Sequence, residues 1–127
     1  MLENNLTLAQ SIYNRANSRE NFTSPLNSAF HKGRYVVGCT EVFVGKNPSI
    51  CPAWRMKLTE VLEERMGTGT FYSFYDSIGG WKDEKTGVYY VSANLHFHGR
   101  EIALRQAKAN GQIAIYDQEE GKVIYLS

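Results

Sequence analysis

No run of this 127-residue chain stays apolar for the ~18 residues a membrane-spanning helix needs, and its first residues lack the basic and apolar regions of a secretion signal. The chain therefore reads as cytoplasmic, with no membrane partner. An excess of one charge is missing too. Fourteen Lys and Arg against 13 Asp and Glu leave a formal net charge of +1, whereas dedicated nucleic-acid binders usually carry a marked basic surplus, so nucleic acid is not an expected partner. Only two cysteines occur, Cys39 and Cys51, in different predicted elements and without CxxC spacing, and buried free thiols are the expected state. Gly67-Thr68-Gly69 follows a helical stretch, whereas a phosphate loop must precede one to use its amides, so phosphate binding there is excluded. Internal repeats and low-complexity segments are absent, and no motif implies a cofactor.

What is present is a sequence of alternating signals. At this length one structural domain is expected, divided in organisation into an N-terminal helix and polar loop at 1–33 and an α+β body at 34–127. Leu6, Ala9, Ile12, Tyr13 and Ala16 recur at helical spacing, with Thr7 as the predicted cap of a helix over 7–16. Asn17 to Gly33 reads as a polar loop pinned by Phe22, Leu26 and Phe30. Arg34 to Val44 is β-branched and aromatic, which predicts a strand, with Glu41 grouped beside Tyr35, Val37, Cys39 and Phe43 on one face. After the turn at Lys46-Asn47-Pro48, Ser49 is the predicted cap of a helix whose stripe is Ile50, Trp54, Leu58, Val61 and Leu62. Thr70 to Ile78 predicts a strand, Gly79-Gly80 a turn, and Lys82 to Gly87 a solvated connection.

From Val88 the pattern alternates. Tyr89, Val91, Ala93, Leu95 and Phe97 form an apolar face, and Tyr90, Ser92, Asn94, His96 and His98 a mostly polar one. Arg100 to Asn110 switches to helix formers ended by Gly111, and Gln112 to Tyr116 with Lys122 to Leu126 predicts a hairpin. Laid end to end after the first helix, the order is β-α-β-β-α-β plus one strand, the split pattern of ferredoxin-like folds, in which helices cover one sheet face and leave the other open.

Asn47-Pro48 before a helix, Gly80-Trp81, and Gln112-Ile113-Ala114 ahead of a late strand resemble an uncharacterised bacterial α+β domain family, over roughly residues 34 to 126. The chain departs from it at Lys82-Asp83-Glu84. The resemblance implies the α+β fold only, the family having no established activity to carry across; short chains of this look also occur on phages and mobile elements, where small domains often act by binding a host protein.

Three functional readings follow. The first is a non-enzymatic interaction module that docks a protein partner or a second copy of itself through the open sheet face, with Trp81 and Tyr90 as anchors, because 13% aromatic residues without a complete catalytic set suit protein contacts. The second is a small-ligand binder or metal-dependent enzyme using Glu41, Asn94, His96 and His98. On a strand, His96 and His98 project the same way, a spacing compatible with a shared metal, for which Glu41, Cys39, Asp76 and His31 are further candidate ligands. The third is RNA binding, with Tyr35, Phe43 and Tyr90 as stacking platforms.

Overall fold

A computed structural model of the protein describes residues 5–26, 33–51, 53–67 and 75–126, and the statements below concern those residues. The elements run in the order α1 (Asn5–Asn17), β1 (Phe22–Pro25), β2 (Tyr35–Gly45), α2 (Trp54–Gly67), β3 (Ser77–Lys82), β4 (Tyr89–Phe97), α3 (Arg100–Ala109), β5 (Ala114–Asp117) and β6 (Lys122–Tyr125). All six strands pair antiparallel in one sheet, with neighbours in the order β1-β3-β4-β2-β5-β6. This is a mixed α+β domain of three α-helices and a curled antiparallel sheet.

The apolar periodicities explain where the core sits. Ile12 and Ala16 of α1 and Trp54, Leu58, Val61 and Leu62 of α2 close onto Phe43, Ile78, Tyr89, Val91 and Ala93 of the sheet. Ala103 and Ala107 of α3 close onto Tyr35, Val37 and Ile115. By strand alternation and register these sheet residues share one face, so all three helices cover that face and the other is left uncovered. Each large side chain fully buried this way contributes about 1.5–3 kcal/mol.

Several sequence expectations are corrected. α1 begins ahead of Thr7, which stands inside the helix rather than at its cap. The segment read as a polar loop contains β1, an edge strand paired to β3, and Leu26 is buried while Phe22 packs on the core, as their apolar character requires. Phe30 lies outside the described residues. Asn47, not Ser49, caps the turn at the start of the second helical segment: its Oδ1 accepts from the Ser49 N–H at 3.1 Å, closing a 3₁₀ turn at Pro48–Ile50 that leaves Ile50 78% exposed. The strand expected from Thr70 falls largely outside the described residues. Within them β3 includes Gly79, Gly80 and Trp81, which were read as a turn and its exit. Cys51 is exposed, not buried, while Cys39 is half-buried with its thiol pushed up by burial.

β2 departs most from its pattern. Register shifts occur between Gly38 and Thr40 and between Glu41 and Phe43, so Cys39 and Val42 are extra residues in bulges against β4. Each bulge advances the alternation by one. Thr40 is thereby paired with Ala93 and Phe43 with Val91 on the helix face, while Glu41 joins Val36, Gly38 and Val44 on the uncovered face. Tyr35 and Phe43, read as open-face stacking platforms, are only 6% and 7% exposed and belong to the helix-face cores.

Candidate functional site

Bulges increase twist and bend a strand, and β2 carries two of them at the centre of the sheet. The consequence is visible at the sheet's ends. Trp81 on β3 and Tyr125 on β6 are separated in the sheet by β4, β2 and β5, yet their ring centroids lie 6.2 Å apart. The Tyr125 hydroxyl also donates to Asp83 Oδ1 at 2.9 Å, just past the end of β3. The uncovered face is therefore the inside of a cup, enclosing a cavity of about 500 Å³.

The clasp that closes the cup is built from a short local motif. Asp83 Oδ1 accepts from the Lys85 N–H and Oδ2 from the Thr86 hydroxyl, both at 3.0 Å, and Gly87, at φ 77°, completes the turn in a conformation that favours glycine. Asp83 is 3% exposed, while Glu84, Lys85 and Thr86 are exposed, so the connection is solvated as its charges suggest but anchored by one buried carboxylate. Burial alone would raise its pKa, but the bonds donated by Lys85, Tyr125 and Thr86 hold the carboxyl below the ordinary range. The Lys85 ammonium sits 3.7 Å from the centre of the Tyr125 ring, on the cup's rim.

Inside the cup the register arranges side chains in rows. Trp81 stands opposite Tyr90, their rings stacked at 5.4 Å and 22°, and Val44 follows on β2. The next row is Thr23, Gly79, Ser92 and Glu41. Beyond it lie Ser77, Asn94 and Gly38. Gln112, Ile113 and Tyr116 form the opposite wall. The strand glycines leave room: a Cβ on Gly38 would lie 2.6 Å from Gln112 Oε1, and one on Gly79 would lie 2.7 Å from Asn94 Nδ2.

A chain of hydrogen bonds runs along the cup floor and behind it. The Ser92 hydroxyl donates to Asn94 Oδ1 at 2.6 Å, and Asn94 Nδ2 donates to Ser77 Oγ at 3.3 Å. Ser77 Oγ is 2.7 Å from His96 Nε2, and His96 Nδ1 faces Gln118 Nε2 at 3.4 Å. Burial lowers the His96 pKa from 6.5 to about 4, opposed by the nearby Asp76 carboxylate.

Of the residues selected from sequence, Glu41, Trp81, Tyr90 and Asn94 all line the cavity. His96 lies behind it in the hydrogen-bond chain, and His98 is exposed one residue beyond the end of β4. Asp76 Oδ2 accepts the His96 backbone N–H at 2.9 Å. His31 lies outside the described residues, and among those described no group of three or more His, Cys, Asp or Glu is placed to hold a metal ion. Sequence reading missed Ser92, Gln112 and Tyr116 as lining residues, and Asp83 and Tyr125 as the clasp. The available signal was the glycines within strands, which mark bends and close approaches. Among the described residues no helix is long and apolar enough to cross a membrane. No family model, curated protein or solved structure matches the chain.

Proposed function

We propose that this protein is a small-molecule-binding domain that holds its ligand inside the curled sheet. The contact of Trp81 with Tyr125 across three intervening strands carries this reading, because it turns an open sheet face into a bounded cavity of about 500 Å³, within the usual size range of ligand sites. An apolar stack (Trp81, Tyr90) beside a few convergent polar groups (Ser92, Asn94, Gln112) is the composition such sites use. The test is ligand-observed NMR with a library of small aromatic and polar fragments, on wild type and Gly38→Leu. The leucine would displace the Gln112 side chain and fill the cup, so fragments should bind wild type and be lost in the variant. Equal binding to both, or to neither, would overturn the proposal.

A second reading is that the same face receives an apolar side chain of a protein partner or a second copy. Ile113 and Tyr116 support it, being large, exposed and neighbours in the lining of the cup. Native mass spectrometry separates the two readings, since a retained small mass favours the first and a dimer abolished by Tyr116→Asp favours the second. We also infer a ferredoxin-like unit within the sheet. The succession β2-α2-β3-β4-α3-β5 and the neighbour order β3-β4-β2-β5 support it, with β1 and β6 added at the edges.

A further inference from the structure

We infer that the cup selects a singly charged organic cation, its apolar body resting on Trp81 and Tyr90 and its ammonium meeting Glu41; this rests on the small-molecule reading above. Among the described residues lining the cavity, Glu41 is the only ionised side chain, and no salt bridge among the described residues neutralises it. Glu41 is itself exposed, so its pull on a cation is screened by water and acts together with the adjacent aromatic faces.

The placement suits one ligand rather than two separate contacts. Glu41 stands opposite Ser92, one side-chain row from the Tyr90–Trp81 stack, and diagonal neighbours on a sheet are about 7–8 Å apart. That span matches an amine carried on a short chain from an aromatic or alicyclic body. Asn94 and Gln112, in the neighbouring floor and wall, offer carbonyl oxygens to the remaining ammonium protons. One further observation points to the same sign of charge. Tyr90 holds its proton more tightly than usual, through burial first and then through the carboxylates of Asp83 and Glu41, whose field reaches the aromatic floor.

Three probes that share an indole and differ in charge test the inference on the full chain: tryptamine (cation), tryptophol (neutral) and indole-3-propionate (anion), titrated by amide-detected NMR. Tryptamine should move the signals of Gly79, Trp81 and Tyr90 and bind about tenfold tighter than tryptophol, with the anion weakest. Glu41→Gln should bring tryptamine to within about twofold of tryptophol and leave tryptophol unchanged. If tryptophol binds wild type as tightly as tryptamine, or if Glu41→Gln keeps the preference, cation selection is overturned, while shifts at the cup residues still uphold the binding site. If none of the three moves a cup signal at millimolar concentration, the binding reading falls with it. The ranking on wild type needs no variant to fold.

Discussion

Acid should destabilise this protein through His96 in a window set by the cup's hydrogen-bond chain. The ring stands between two partners, one of which opposes its protonation. Gln118 Nε2 is a donor, fixed by its bond to the Gly33 carbonyl at 2.8 Å, and it faces Nδ1. Ser77 Oγ, at Nε2, accepts from Asn94 and keeps a second lone pair for an Nε2–H. An imidazolium donates from both nitrogens, so protonation sets Nδ1–H against another donor. Burial takes the folded pKa to about 4, against an ordinary 6.5, with the nearby Asp76 carboxylate pulling the other way. The sign follows: the unfolded chain takes up a proton near pH 6.5 that the folded protein refuses until about 4, so the contribution is complete above 6.5 and is lost as pH falls through that interval. The full difference corresponds to about 3 kcal/mol, and because solvent still reaches part of the ring we expect ~1–2 kcal/mol. Urea unfolding of wild type and His96→Gln between pH 7.5 and 4.5 measures it, since subtracting the curves removes the carboxylates common to both. The wild-type advantage should shrink by that amount toward pH 4.5. A flat difference, or a His96 ring that titrates above pH 6 by NMR, would refute the reasoning.

Gly38→Ala should leave stability within about 1 kcal/mol, because the clash is with the far end of the Gln112 side chain, whereas Gly79→Ala should cost ~1–3 kcal/mol by pushing on the buried Asn94 and on the Phe22 carbonyl 3.2 Å away; urea midpoints decide between them. Tyr125→Phe removes one of the donors to Asp83 and should loosen the clasp, seen as faster amide exchange in β6 and a changed Trp81 fluorescence; an unchanged exchange pattern would show that the ring contact alone holds the cup closed. Leu58→Ala, at a fully buried position on α2, should lower unfolding free energy by about 2–5 kcal/mol.

The elements with local determinants were legible from sequence. β4 follows its alternation from Tyr89 to Phe97, and α3 spans Arg100–Ala109 before Gly111, whose φ of 70° ends it as expected. β1 was hidden because Phe22-Thr23-Ser24-Pro25 is short and half polar, and its pairing with β3 is a tertiary event. β3 was displaced because a Gly-Gly pair signals a turn in isolation. In the fold Gly80 is required by close approach, since a Cβ there would lie within 2.3 Å of the Phe22 ring. Glu41, expected on the open face, lies on the uncovered face, but Tyr35 and Phe43, grouped with it, lie on the helix face, because two bulges cannot be counted from a period of two. The far wall at Gln112 and Tyr116 had no signal of its own beyond the strand glycines that mark the bend, since only the curl brings β5 round to face β3 and β4.

These departures from regular β pattern have a common physical consequence. A flat sheet with this sequence would leave Trp81, Tyr90, Val44 and Tyr116 on a broad exposed surface, an aggregation hazard. Bulging β2 at Cys39 and Val42 sacrifices regular pairing on the central strand, and placing glycine at 38, 79 and 80 forgoes side-chain packing, both of which weaken a strand taken alone. What offsets that loss is closure: the curl brings Trp81, stacked on its cross-strand partner Tyr90, against Tyr125, and gives the buried Asp83 carboxylate its side-chain donor from β6. The helix face supplies the stability that tolerates this strain, through Ile12, Leu58, Leu62 and Val91 packed without exposure. Stability and site are therefore divided between the two faces of one sheet, so substitutions inside the cup at exposed Glu41 or at Gly38 should alter binding with little effect on folding, and core substitutions under α1 and α2 the reverse.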